Sequence, residues 1–492
     1  MKQLHVATIA SEMVPLAKTG GLGDVGGALP VALEQSGCKC TCFLPAYRSV
    51  LKSGLKIEPT NHSFTIYIGG QHVACRLLRT QLPGSSVDVY LIDQPKYFDR
   101  DGLYSDARGE YKDNCERFSF FCRATAEAID RLELDIDIAH SHDWQAGLMP
   151  AFVRTRHGHY AWMEKVKTVH TIHNLAYQGR FWHVDFPMTG MDWRFFNWEQ
   201  MEFHGDINFL KTGIVFADAV STVSPTYARE ITEPGLGCGL EEILRARGDD
   251  LVGIVNGVDY SMWDPGTDKH LPEKFSIENW EAGKAKCKAQ LQQSLGLPVD
   301  ATTPLIGIVS RLADQKGWDL IIPLLRRWAA ERDIQWAILG TGDPGYEAAL
   351  GELAAEYPGK IAARLAFSEA VAHQIEAGSD MFLMPSAYEP CGLNQLYSLR
   401  YGSTPVVHST GGLCDTVVDA SEENLLAAAA NGFRFDDYSI DAMAAALERA
   451  IDTYENNRDR WKVIVETGMR EDWSWQQSAG RYIDLFNKTL GR

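Results

Sequence analysis

Several familiar signatures are missing from this chain of 492 residues. No uninterrupted apolar run of about 18 residues occurs, so no transmembrane helix is expected. The apolar stretch Leu4–Ala10 is too short for a span, and Gly-rich sequence follows it; it reads as a first strand and not as a signal peptide. No Arg- and Ser-rich transit segment precedes it, so a cytoplasmic protein is expected. The ten cysteines include no C-x-x-C pair. Cys38, Cys40 and Cys42 alternate along an expected strand and share one face. Tetrahedral zinc sites favour turn spacings, so these three read better as small buried hydrophobes. Positive charge is also in short supply: 47 Lys and Arg against 65 Asp and Glu give a net charge of −18. That balance argues against bulk nucleic-acid binding, though a few local cations can still dominate a pocket for an anionic substrate. Finally, no G-x-x-x-x-G-K-[ST] occurs, which excludes a P-loop NTPase.

What is present is a soluble composition, 45% hydrophobic and 23% charged, on a chain too long for one core. Short apolar runs alternate with helical stretches. Strands are expected near Leu4–Ala10, Cys40–Pro45, Val87–Ile92, Ile136–Ser141, Val166–His170, Ala219–Ser224 and Leu251–Val255. A second series follows the turn-rich segment 298–304, near Leu305–Ser310, Trp336–Gly340, Ile361–Phe367, Met381–Pro385 and Pro405–His408. This alternation predicts an α/β protein of two doubly wound parallel sheets. Ligands in such sheets bind beyond the carboxyl ends of the strands. The polar clusters "HSHDWQAG", "HTIHNLAYQG", "SRLADQKG", "PSAYEPCGLNQLY" and "HSTGGLCDTV" each follow a strand.

The stretch "KTGGLGDVGG" (residues 18–27) contains G-x-G-x-x-G at Gly21, Gly23 and Gly26, nominally a dinucleotide fingerprint. Its context is wrong: the first glycine comes about ten residues after the strand, and "CKCTCFLPAY" supplies no acidic residue for a ribose. A phosphate-facing loop fits better. Gly20 and Gly21 would let backbone amides approach an anion, a helix would start from Leu22, and Lys18 adds a full charge. Arg311 and Lys316, with a second glycine pair at Gly411 and Gly412, would clamp a diphosphate from the other side, as a leaving group is stabilised.

Together these motifs resemble the bacterial glycogen synthases and plant starch synthases. The match runs through "KTGGLGDV", "HDWQAG", "TIHNLAYQG", "NGVD", "SRLADQKG", "EPCGLNQLY" and "STGGLCDTV", in the family's order over almost the whole chain. The resemblance implies the GT-B fold: two Rossmann-like domains facing across a cleft, 1–255 on the glucan side and 256–470 on the donor side. A C-terminal helix, 471–492, would cross back to the first domain. It implies a retaining transfer of glucose from ADP-glucose to the non-reducing end of an α-1,4-glucan, with no metal or organic cofactor. The partners would be these two substrates, with neither nucleic acid nor membrane, in a monomer or small homo-oligomer.

Site residues follow from the same resemblance. Lys18, Gly20, Gly21 and Asp24 would contact the donor, with Arg311, Gln315 and Lys316 at its diphosphate. Asp143, Trp144, His173 and Asn174 would lie by the transferred glucose. Glu389 would hold sugar hydroxyls beside Cys391, Gly392 and Leu393. Asn256 and the turn Thr410, Gly411 and Gly412 complete the pocket, and Phe367 would stack on adenine. Glu389, His173, Lys316, Arg311 and Asp143 are the catalytic candidates. Tyr397 stands where many related transferases carry a second Glu, so it is no carboxylate partner.

Blander readings compete at several positions. His173 could be a core histidine; its place after a strand, beside Asn174, favours function. A metal cluster of His140, His142 and His170 lacks an acidic ligand set, and Cys391 reads as packing and not as a nucleophile. The aromatics between Tyr177 and Phe203 could wall an acceptor groove, with packing expected for most. A UDP-sugar transferase, a pyridoxal-dependent glucan phosphorylase and an inert glucan-binding protein are the rival functions.

Overall fold

The computed structural model describes residues 3–492. The chain divides into two compact units. One comprises the residues up to Gly257 together with Trp475–Arg492, and the other is Val258–Ser474. Among the described residues, no helix is long and apolar enough to cross a membrane.

The first unit is built on a nine-stranded sheet. From one edge its order is Leu251–Gly253, Ala219–Thr222, Lys167–Ile172, Ile138–His142, His5–Ile9, Lys39–Pro45, Asp88–Asp93, Gln71–Gln81 and Glu58–Ile68. The two central strands, His5–Ile9 and Ile138–His142, are buried at every position, as strands of a parallel sheet covered on both faces must be. Their parallel pairing is the point where the order reverses: the chain runs outward to one side after the first strand, then returns to the other side at Ile138. A crevice opens at such a reversal, beyond the strand ends.

The far edge departs from the expected pattern. Glu58–Ile68 and Gln71–Gln81 form an antiparallel hairpin, closed by Gly69 and Gly70 at φ +54° and +82°. Two central residues with positive φ make the turn that matches strand twist. Phe64, Ile66 and Ile68 are buried while Thr65 and Tyr67 are exposed, the period-2 pattern of a one-sided strand. A small three-stranded sheet of Arg180–Trp182, Glu202–Phe203 and Asp206–Asn208 was also unanticipated.

The last helix, Trp475–Thr489, belongs to this unit. Trp475, Ala479, Tyr482 and Phe486 recur at helical spacing and are buried. The helix packs against Gly21–Gln35. Ser478 Oγ donates to the Val255 carbonyl at 2.7 Å, and Tyr482 and Phe486 each reach the His140 ring at 5.4 Å between centroids.

The second unit has a six-stranded, wholly parallel sheet. Its order is Ile361–Arg364, Gln335–Leu339, Leu305–Val309, Met381–Met384, Thr404–His408 and Phe433–Phe435. Reversal falls between Leu305–Val309 and Met381–Met384. The loops that follow these two strands carry "SRLADQKG" and "PSAYEPCG". The expected strand Ile361–Phe367 ends at Arg364, which leaves Phe367 in a loop. Trp318, Trp328 and Trp336 lie in the core of this unit with Ile306, Ile308 and Ile338.

Within Gly21–Gln35 the glycines differ in purpose. A Cβ on Gly26 would stand 2.3 Å from the Glu12 carbonyl oxygen, whereas one on Gly21 meets nothing within 4 Å. Gly26→Ala should therefore lower the melting midpoint of the unit that holds it by about 3–10 °C in calorimetry. Gly21→Ala should move it by less than about 2 °C. Equal shifts in the two variants would refute this assignment.

Candidate active site

In the first unit the site is assembled on the loops after the strands His5–Ile9, Ile138–His142 and Lys167–Ile172. Glu12 organises the first of them. It is 3% exposed, and its carboxylate accepts from the Thr19 amide at 2.6 Å, the Thr19 hydroxyl at 2.6 Å, the Gly20 amide at 3.0 Å and the Tyr104 hydroxyl at 2.8 Å. Here the structure corrects the sequence reading, because the Gly20 amide is bound to Glu12 and is not offered outward. Lys18 is exposed, its Nζ 2.6 Å from Asp24 Oδ1. Gly20 has φ −151°, an ordinary extended conformation, and open space surrounds the Cβ positions of both Gly20 and Gly21.

Asp143 follows the central strand with φ +52° and ψ −173°. An L-residue pays about 1–3 kcal/mol for such a conformation and holds it only where its surroundings demand it. Its amide donates to the Thr171 carbonyl at 2.9 Å, and its Oδ1 accepts from the His173 amide at 2.7 Å. Burial raises the Asp143 carboxyl to about 7, opposed by the His173 amide and reinforced by the charge of Glu12.

Four histidines line the same strand ends. His142 Nδ1 and His173 Nε2 are 3.0 Å apart, His140 Nε2 lies 2.6 Å from Thr171 Oγ1, and His170 Nδ1 lies 2.8 Å from Ser141 Oγ. Each thus has a different partner, and these rings do not share a common ligand point. Burial lowers His140, His170 and His173 to about 3 and His142 well below its ordinary value. All four rings are neutral near pH 7 and act as hydrogen-bonding dipoles, not as cations. Trp144 packs edge-on against Phe118 at 4.8 Å and is buried. Asn174 Oδ1 accepts from the Ala176 amide at 3.0 Å, and Asn256 is 5% exposed with its Oδ1 unpartnered.

In the second unit Lys316 and Glu389 meet. Lys316 Nζ lies 2.5 Å from Glu389 Oε2, with the two side chains 19% and 8% exposed, and Ser386 Oγ donates to the same oxygen at 3.0 Å. Gln315 Nε2 donates to the Tyr388 carbonyl at 3.2 Å, which ties the two loops together. Arg311 is exposed and reaches Gln315 Oε1 at 3.4 Å. Gly411, at φ +44°, would put a Cβ 1.9 Å from the Glu389 carbonyl oxygen, and a Cβ on Gly412 would be 2.0 Å from that of Cys391. The Gly412 amide donates to the Glu389 carbonyl at 3.0 Å. That corrects a second expectation: this pair grips the Glu389 loop, and the Gly412 amide is used within the fold. Thr410 precedes the short helix Gly411–Thr416, Gly392 takes φ +72°, and Leu393 packs with Val258, Leu396 and Tyr397. Cys391 is buried. Phe367 is 91% exposed, a bare ring in solvent.

Comparison with known proteins decides the family. The starch synthase catalytic domain family matches residues 5–246, and glycosyl transferases group 1 matches residues 292–464. A glycogen synthase of Rhodopirellula baltica is 47% identical over 99% of this chain and 98% of its own length. One from Anaeromyxobacter dehalogenans is 46% identical over 98% and 99%. The chain belongs to the glycogen synthase family. The catalytic domain of Starch Synthase IV from Arabidopsis thaliana, solved with ADP and acarbose bound, superposes with a TM-score of 0.91 at 31% identity, covering both chains completely. The protein is therefore a glycosyltransferase of the GT-B fold, as the motifs implied.

For a member of this family, sequence reasoning passed over Glu12, quoted Ser386 in its motif without a role, and weighed His142 only as a metal ligand. Each of the three acts through another group. The acidic residue two places after the first strand, in "IASEMVPL", was the available signal for Glu12.

Asp143 yields a test. Its folded pKa is raised, so the protonated form stabilises the fold fully below the unfolded value near 4 and that stability is lost as pH rises through about 7. Asp143→Asn keeps the shape without the titration. Relative to the native protein, it should gain stability between pH 4 and 7, on the order of 4 kcal/mol in all, with no further gain above pH 8. A difference that is independent of pH in chemical denaturation would remove Asp143 from this role.

Proposed function

We propose that this protein transfers glucose from ADP-glucose to the non-reducing end of an α-1,4-glucan, with retention at the anomeric carbon and release of ADP. The observation that carries the reading is the shielded Lys316–Glu389 pair at the strand-order reversal, beside the exposed Arg311. A cation that already faces a carboxylate is poised to exchange partners when a diphosphate arrives. Support also comes from the whole-chain likeness to a starch synthase domain that binds ADP and acarbose.

Roles follow from chemistry. Arg311 and Lys316 take the diphosphate, and their charge stabilises it as it departs. Glu389, once shared with the donor, accepts from sugar hydroxyls. Neutral His173 and the near-neutral Asp143 carboxyl hydrogen-bond the glucosyl group without adding a second full charge beside it. The acceptor hydroxyl attacks the anomeric carbon as the bond to the diphosphate oxygen breaks, on the same face, and its proton passes to that oxygen. Lys18 and the Gly21 amide contact the donor, Phe367 stacks on adenine, and exposed Tyr177, Trp182, Trp193 and Trp198 offer faces to a glucan. No metal or organic cofactor enters these steps. A cytoplasmic location suits substrates of this kind.

Purified protein with glycogen should turn over ADP-glucose far better than UDP-glucose at subsaturating donor, and Phe367→Ala should raise the donor KM while leaving the glucan KM in place. Glu389→Ala and Lys316→Ala should each cut kcat by about 10²–10³, the cost of about 3–4 kcal/mol for losing one preorganised charge. Equal turnover of the two donors, or near-normal kcat in a folded Glu389 variant, would sink the proposal.

A further inference from the structure

The second unit holds a cluster that none of these roles uses. His270, Glu369 and His373 each offer one ligand atom, and the three atoms lie within 4.8 Å of one another. Asp268, 4% exposed, arranges them. Its Oδ2 accepts from His373 Nδ1 at 2.7 Å and from the Tyr401 hydroxyl at 2.7 Å, and its Oδ1 accepts from the His270 amide at 2.8 Å. A carboxylate can only accept, so His373 Nδ1 carries a proton, and Nε2 is the ring atom left to meet a ligand. That Nε2 is buried with no hydrogen-bond partner, and so is His270 Nε2. Leaving such atoms unsatisfied costs about 1–3 kcal/mol each.

The surroundings fix the rings. Trp263 stacks on His373 at 3.7 Å and 9°, and the far side of the same indole is covered by Tyr397 at 3.9 Å and 1°. Gln374 Nε2 holds the His270 carbonyl at 3.3 Å. Glu369 stands four residues before His373 on the helix Glu369–Gly378, so both project from one face. Its side chain is exposed and free to rotate inward. Ligands about 2.1 Å from a tetrahedral ion stand about 3.4 Å apart, so the three atoms must draw in from a spacing of up to 4.8 Å, a contraction in which the exposed Glu369 side chain takes part.

We propose that His270, His373 and Glu369 bind one zinc-class divalent ion, with Asp268 orienting His373. Two imidazoles and one carboxylate, leaving a fourth position for water, make a borderline donor set that suits Zn²⁺ and Co²⁺ and disfavours the oxygen-seeking Mg²⁺ and Ca²⁺. A carboxylate behind the ligating histidine is the outer-shell partner such sites need. The ion would pin the 268–270 turn to the first turn of the helix, two residues after Phe367.

The test uses the full chain, stripped with a chelator and dialysed against micromolar Zn²⁺ in millimolar Mg²⁺, without sugar substrates. One zinc per chain by elemental analysis, and a tetrahedral absorption band when Co²⁺ replaces it, are expected. His270→Asn and Glu369→Gln both spare the buried His373–Asp268 pair, and each should weaken binding about tenfold or more. Cys238→Ser removes an exposed thiol in the other unit and should leave the stoichiometry at one. No stoichiometric zinc in the native chain, unchanged affinity in both ligand variants, or loss of the ion in the Cys238 variant would overturn the assignment.

Discussion

Many polar side chains at the carboxyl ends of the central parallel strands are buried, and that constraint governs the contacts they make. Although Asn256 Oδ1 meets none, a polar group held there is most stable where it meets a partner in its own unit. Glu12 does so four times over, Asp143 accepts a strained backbone to reach the His173 amide, and Lys316 turns onto Glu389. The strain at Asp143, about 1–3 kcal/mol, is offset by the hydrogen bond it secures, about 1.5–3 kcal/mol for a charged acceptor.

The two units answer the constraint in different currencies. In the first, four buried imidazoles are driven neutral, so the strand ends present dipoles. In the second, full charges survive because they are paired or, like Arg311, left in solvent. A diphosphate needs cations, and a sugar that gains positive character as its bond breaks is better served by neutral donors and acceptors. The net charge of −18 is no obstacle, since a cation half out of water acts over a few ångströms, well within the screening length at physiological salt.

The legibility of the sequence followed the same physics. Strands buried on both faces announce themselves as apolar runs, so the central strands and the loops after them were readable. The hairpin Glu58–Gln81 was not, because its one-sided alternation is a weaker signal and the Gly69-Gly70 turn was passed over. Family motifs singled out Lys316 and Glu389 as candidates, but nothing in the chain order said that they would pair with each other across 73 residues. The groups that act through others became visible only as contacts: Glu12 and Asp268 carry no motif, and Ser386 stands in one that gave it no role. Asp268, in particular, sits 105 residues from the histidine it orients.

The glycine pairs show why a motif needs its geometry. "TGGL" occurs twice, at 19–22 and at 410–413, and both invite the reading of amides offered to a phosphate. At Gly411 and Gly412 a Cβ would strike the Glu389 and Cys391 carbonyls, so packing alone explains the residues. Gly26 and Gly27, later in the first stretch, are explained the same way by the carbonyls of Glu12 and Val14. Gly20 and Gly21 have no such reason: their Cβ positions are open, and Gly20 takes a backbone conformation open to any residue. A glycine that neither conformation nor packing requires is best accounted for by something outside the fold approaching the backbone closely. Of these two, Gly20 has given its amide to Glu12. Under the proposed function, that leaves Gly21, at the first position of its helix, as the amide for a donor anion.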